Sequence, residues 1–341
     1  MDFNAVRSIP LPFHLDVPNL ETLTLGHNKL RHVQGKHLPR NLTYISFEGN
    51  LIRTITPEAL AGLDRLQSVK FSNNQISFIA AKTFSLPFLK VVLISGNRIS
   101  VIEKNSFPNS LKIIRLKDNK LTDFSALNAC EHLQDAILDD QHRDKSPQDI
   151  PFLPRLDWLS LSNINGNSAV ASIQKKAPRL VSLTLINGNI PHLHLTDSSM
   201  LLQLILTSNS IKTVGNMSKI PRLIILSMKG NLLQGIPDIS GLHTLEELNL
   251  SFNKIRTKTI PKNLHLKLSH LQIHQGESRA YPDPPNKTET IALVCVAKAH
   301  GDAVEIDFSI HLAWDTGSSA EAWNMSCSYQ VRNASHGHNC Q

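Results

Sequence analysis

Eleven times along the chain one alternation of apolar and polar positions returns, LxxLxLxxNxL, with Ile, Val, Phe or Met standing in for Leu. It starts at Leu20 (LETLTLGHNKL), Leu42, Leu66, Leu89, Leu111, Leu133, Leu156, Leu180, Leu201, Leu223 and Leu245, at intervals of 21 to 24 residues. In each unit the fourth and sixth positions are apolar, while the third, fifth and seventh face the other way. That is the period of a half-buried strand. Leu23 and Leu25 are expected to point inward from the first strand, and Leu248 and Leu250 from the last. Apolar residues spaced as in Ile52-x-x-Ile55-x-x-x-x-Leu60 and Ile76-x-x-Ile79-x-x-x-x-Phe84 return on the far limb and close the coil. A repeat of this length cannot bury its apolar face alone, so coils must stack and their strands form a parallel sheet.

After each strand the backbone turns, leaving N–H and C=O groups under the coil without sheet partners. An inward Asn satisfies both kinds of group, because its amide donates and accepts. Asn28, Asn50, Asn74, Asn97, Asn119, Asn209, Asn231 and Asn253 occupy that ninth position. Three consecutive repeats depart from it, with Gln141, Ile164 and Gly188 in its place and Asn163, Asn165, Asn187 and Asn189 one residue off. A slip of register is expected there, next to the polar insertion Asp139–Pro147.

The motif resembles that of the leucine-rich-repeat family over roughly residues 9–275, and the repeat length resembles its extracellular class. The resemblance implies an α/β-type repeat solenoid: a horseshoe with a parallel sheet on its concave face and mostly loop or short helix on its convex face. It also implies non-catalytic recognition of a protein, peptide or glycan by an extracellular or cell-surface receptor-like ectodomain or a secreted binding protein. The alternative is a cytoplasmic scaffold regulating a partner enzyme.

Positions 3, 5 and 7 of each strand project from the concave sheet and mark the candidate ligand-binding surface. In repeats four to seven they include Val91 and Leu93, then Ile113, Arg115 and Lys117, then Asp135, Ile137 and Asp139, then Trp158. The apolar members fall on adjacent strands and are expected to merge into one patch beside a basic and an acidic row. Contiguous exposed apolar area marks interaction sites, and Trp and Arg are frequent anchors.

The repeats fade after Ile255, LHLKLSHLQIH (264–274) reads as a degenerate last coil, and Tyr281-Pro-Asp-Pro-Pro reads as a linker. The expected division is a solenoid over 1–275 and a small Cys-containing β module over 276–341, serving as cap or stalk. Alternation through Val304–Trp314 and Met325–Val331, with Ile291–Ala297, predicts at least three strands there. Cys295, Cys327 and Cys340 lie in that module, with pairing undetermined, and Cys130 is expected as a buried free thiol. Asn-x-Ser/Thr glycosylation sequons stand at Asn41, Asn216, Asn286, Asn324 and Asn333.

Charge adds an asymmetry. Of 35 basic and 28 acidic residues, 1–121 carries 16 and 8 (+8), 122–199 carries 6 and 9 (−3), 200–275 carries 9 and 3 (+6), and 276–341 carries 4 and 8 (−4). No basic run is interleaved with aromatics, which argues against nucleic acid as partner. No stretch reaches the roughly 20 apolar residues of a membrane helix, and MDFNAVRSIPLPF lacks the apolar run of a signal peptide. A membrane anchor would have to lie in a longer parent chain. His336-x-His338-x-Cys340 has no second ligand pair at zinc-finger spacing, and no phosphate-binding loop, GxSxG elbow or paired-carboxylate motif is present. Catalytic residues, bound metals and cofactors are therefore not expected.

Overall fold

The computed structural model describes residues 2–9, 13–141, 150–256, 268 and 270–272, and the backbone of 290–300, 303–313 and 323–331. The chain forms two compact units, Met1–Asn165 with Ala171–Leu183, and Gly166–Val170 with Thr184–Gln341.

In the first unit each repeat contributes one short strand: β1 (Thr22–Thr24), β2 (Tyr44–Ser46), β3 (Ser68–Lys70), β5 (Val91–Leu93), β7 (Ile113–Arg115), β8 (Asp135–Ile137) and β9 (Trp158–Ser162). They pair parallel in chain order, with Leu23, Ile45, Val69, Val92, Ile114, Ala136 and Leu159 in one register row. On the return limb β4 (Phe78–Ile79) and β6 (Val101–Ile102) form a second parallel pair, bridged from Ile55. The core is a column of aliphatic and aromatic layers: Ile45, Phe47, Val69, Phe71, Val92, Ile94, Ile114 and Leu116 are all fully buried. Phe47 packs on Phe71 at 5.4 Å between ring centroids, and Phe84 stacks on Phe107 at 5.7 Å.

The chain passes to the second unit through β10 (Ser182–Ile186). There β12 (Gln203–Thr207), β14 (Ile225–Ser227), β15 (Glu247–Asn249) and β16 (His270–Gln272) pair parallel, with Leu204, Leu226, Leu248 and Leu271 aligned. A return-limb pair joins β11 (His192–Leu193) to β13 (Thr213–Val214). Three longer strands follow, β17 (Thr290–His300), β18 (Ala303–Ala313) and β19 (Trp323–Val331), antiparallel in that order. Their register sets Cys295 and Cys327 on either side of Phe308, two strand spacings or about 10 Å apart. That separation exceeds what a direct disulfide spans.

The ladder is built as its chemistry requires. Asn74 accepts the Ile52 N–H at 3.0 Å and donates to the carbonyls of Phe47 and Phe71 at 2.9 and 3.0 Å. Asn50, Asn97 and Asn119 repeat the arrangement in the first unit, and Asn231 and Asn253 in the second.

The expected slip does not occur. Gln141 takes the ladder position: its Oε1 accepts from the Leu121 N–H at 3.1 Å, and its Nε2 donates to Leu116 and Leu138 at 2.8 and 3.1 Å. Asn163 and Asn187 are not displaced ladder residues either. The eighth position has positive φ in all eleven repeats, from His27 (52°) and Gly49 (65°) through Asn163 (61°) and Asn187 (55°) to Phe252 (57°). Asn tolerates this left-handed conformation better than most residues, which accounts for its presence there. The ladder itself is interrupted, since Ile164 and Gly188 offer no side-chain amide; in the next repeat the buried Oδ1 of Asn209 has no hydrogen-bond donor among the described residues.

An additional coil precedes the first motif. Phe3 has the positive φ of an eighth position (57°), and the Val6 N–H donates to Asn28 as Leu30 does to Asn50. Residues 2–6 therefore hold the turn geometry of a repeat.

Candidate recognition surface

Strand pairing in the first unit lays two rows across the sheet face. Val91, Ile113, Asp135 and Trp158 stand side by side, as do Leu93, Arg115, Ile137 and Ser160. Beneath them Val92, Ile114, Ala136 and Leu159 enter the core, so the period of two assigns the rows to the outer face. Val91, Leu93, Ile113 and Ile137 are half-buried by one another, and Trp158 is 55% exposed.

The patch is not simply flanked by charge. Arg115 donates to the carboxylate of Asp135 from the next strand, so an ion pair lies inside the apolar rows. Lys117 pairs at 3.3 Å with Asp140, which lies beyond the strand. A third pair, Lys70 with Glu48, stands at the fifth and seventh positions of repeats three and two, and Asn73 donates to the same carboxylate at 3.3 Å. Lys70 and Glu48 are not among the candidates named from the sequence, although their repeat positions are those of Arg115 and Lys117.

Asp139 differs from the other candidates. Only 6% exposed, it accepts the Ser160 hydroxyl on Oδ2 at 2.6 Å and has no hydrogen-bond partner on Oδ1 among the described residues. Burial pushes its carboxyl above the usual range, against the hydrogen bond from Ser160. It is a buried acid beneath the surface, while Val91, Leu93, Ile113, Arg115, Lys117, Asp135, Ile137 and Trp158 are brought together at it.

Cys130 follows a short 3₁₀ helix, Ser125–Ala129, and is buried and free; desolvation raises its thiol pKa to about 12. Among the described residues no group of three His, Cys, Asp or Glu side chains is placed to hold a metal, and no helix is long and apolar enough to cross a membrane. Asn216 is exposed, its Oδ1 accepting from the Ser218 N–H at 2.9 Å. Asn41 is half-buried, with its amide donating to Pro18 at 3.2 Å and accepting from Arg65 at 3.0 Å. Asn286, Asn333 and the His336–Cys340 cluster lie outside the described residues, and Asn324 falls on β19.

The coil geometry, the ladder and the parallel strands define a leucine-rich-repeat protein, and the family pattern "Leucine rich repeat" matches at residues 18–76 and again at 244–268. The chain resembles extracellular proteins of that kind. It is 25% identical to podocan of Mus musculus over 311 residues, covering 79% of this chain and 50% of podocan, and 29% identical to osteomodulin of Bos taurus over 245 residues, covering 70% and 53%. It thus spans about half the length of these relatives. Among solved structures, Toll in complex with Spatzle (Drosophila) aligns with a TM-score of 0.60 at 22% identity, covering 75% of this chain and 36% of that one. An internalin of Listeria monocytogenes aligns at 0.59 and 19% identity, covering 77% and 82%. At these identities both show the shared fold.

Proposed function

We propose that this chain is a non-catalytic, extracellular recognition module that binds a protein or peptide ligand on the sheet face formed by β5, β7, β8 and β9. The observation that carries this reading is the in-register patch of Val91, Leu93, Ile113 and Ile137 ending on the exposed Trp158. A rigid aliphatic floor with an aromatic at its border and an ion pair within it has the composition of an interface core. A glycan ligand, bound mainly through polar groups, does not call for such an apolar floor. The likeness of fold to the Toll chain of the Toll–Spatzle complex is consistent with this reading. The segment 276–341 serves in this reading as a cap on the repeats, and exposed Asn216 as a glycosylation site.

The test is binding of the purified chain to extracellular matrix digested free of sulfated polysaccharide, comparing wild type with Trp158→Ala combined with Arg115→Ala. The double variant is expected to fold normally and bind at least tenfold more weakly. Undiminished binding would remove the patch as the site. Glycosidase treatment that shifts the mass of the peptide containing Asn216 supports the extracellular reading; native material without sugar would favour the intracellular scaffold.

A further inference from the structure

The first unit carries a second surface that this reading does not use. In its successive coils the residues just before and just after the eleventh repeat position include Arg7, Lys29, Arg31, Arg53, Arg98 and Lys120, and all six are exposed. None of them takes part in an ion pair among the described residues. They come from the 1–121 segment, with its excess of 16 basic over 8 acidic residues.

Their spacing is fixed by the backbone. Lys29 N–H donates to Val6, Leu51 to Leu30, Gln75 to Ile52, Arg98 to Ile76 and Lys120 to Ile99, at 2.8 to 2.9 Å throughout. The ladder residues Asn28, Asn50, Asn74, Asn97 and Asn119 clamp the intervening N–H groups from the next coil. A hydrogen-bonded column therefore runs across six coils, and five of them, all but the coil of Gln75 and Ser77, carry a cation beside it. Strand-like spacing of about 4.8 Å per coil makes that column roughly 24 Å long.

We propose that this ridge binds an extended sulfated polysaccharide, lying across the coils and leaving the sheet face free. Cations held in line without internal counter-ions match a polymer with anionic groups along its length, and such binding is driven by release of the polymer's counterions. No aromatic residue stands at the tenth or twelfth position of these coils, and Phe78 is the exposed aromatic nearest the middle of the ridge; a single ring does not provide the succession of stacking platforms that single-stranded nucleic acid uses, which favours a polysaccharide. Asp118 is the acidic residue nearest the line in sequence, two residues before Lys120.

The probe is heparin, titrated against the full chain over a series of salt concentrations. Arg53→Ser with Arg98→Gln removes two ridge cations, and the fold accommodates these replacements because Ser77, Ser100 and Gln75 already occupy the same repeat positions. Lys90→Gln with Lys112→Gln removes equal charge from exposed positions at the other end of the strands. The ridge pair is expected to weaken heparin binding roughly tenfold and to lower the salt dependence by up to about two units, while the control pair changes affinity less than twofold. Equal loss in both pairs, or no heparin binding by wild type at low salt, would overturn the ridge. DNA bound as tightly as heparin would overturn the polysaccharide. Trp158→Ala should leave heparin binding intact, so failure of the ridge and failure of the sheet-face site give different results.

Discussion

Asn119 joins three coil segments with one side chain, accepting from Ile99 at 3.0 Å and donating to Ile94 and Leu116 at 3.1 and 2.8 Å. Its replacement by Ala leaves buried backbone groups unsatisfied, so Asn119→Ala should cost about 1–3 kcal/mol in chemical denaturation. Gln141→Ala should cost a similar amount, because Gln141 makes the same three kinds of bond; an unchanged denaturation midpoint would show that its contacts are incidental. The eight ladder asparagines are legible in the sequence by their spacing. Gln141 is not, because one additional methylene changes the residue type without changing the amide it delivers. Nor is the meaning of Asn163 and Asn187, whose role follows from a backbone angle that no side-chain pattern encodes. Cys130 also belongs at this scale. Burial holds its thiol protonated, with a pKa of about 12, so a thiol reagent should leave the peptide containing Cys130 unlabelled in the native chain at neutral pH and should label it in denaturant.

At the scale of the element, the strands are short, and their pairing is set by the coils. The alternation at positions 4 and 6 identifies the strands of the eleven counted repeats, through the residues that enter the core; β16 falls in the degenerate coil outside that count. The outer rows are less legible. The sequence placed Arg115 and Lys117 in one row and Asp135 and Asp139 in another, but it could not show that Arg115 closes onto Asp135 while Asp139 turns under Ser160. Those outcomes depend on which neighbouring strand a long side chain reaches. Asp139 yields a prediction with a definite sign. Its carboxyl is shifted upward in the folded state, so the ionised form is disfavoured by folding, and the associated stability is full below the unfolded value near 3.9 and is lost as pH rises through the folded one. Asp139→Asn does not titrate and keeps an acceptor for Ser160. Its melting midpoint should therefore exceed that of wild type at neutral pH, with the difference shrinking as pH falls toward about 4. A constant difference across that range would show that Asp139 ionises without cost.

At the scale of the molecule, the chain repeats one scaffold and varies what it displays. The inward Leu, Ile, Phe and Asn residues carry the fold, and their near-invariance from coil to coil made the solenoid readable from the sequence. The displayed residues differ from coil to coil, so the surface is written in positions 3, 5 and 7 and at the coil corners, where a motif search is blind. In the first unit this variation yields two faces of opposite chemistry: an apolar patch ending on Trp158, and a ridge of unpaired cations from Arg7 to Lys120. The repeat-like turn at residues 2–6 is not legible in the sequence because only Asn4 and Val6, at the ninth and eleventh positions, belong to the pattern there. The claim on which the functional account rests is that ligand docks on the patch. It is tested most directly by binding of the Trp158→Ala, Arg115→Ala variant to matrix digested free of sulfated polysaccharide, beside a Phe88→Ala control, which removes a similarly exposed aromatic (58%) preceding β5. The account predicts a loss of at least tenfold, about 1.4 kcal/mol, for the double variant and wild-type binding for the control. Wild-type binding by the double variant, with its melting midpoint unchanged, would contradict it.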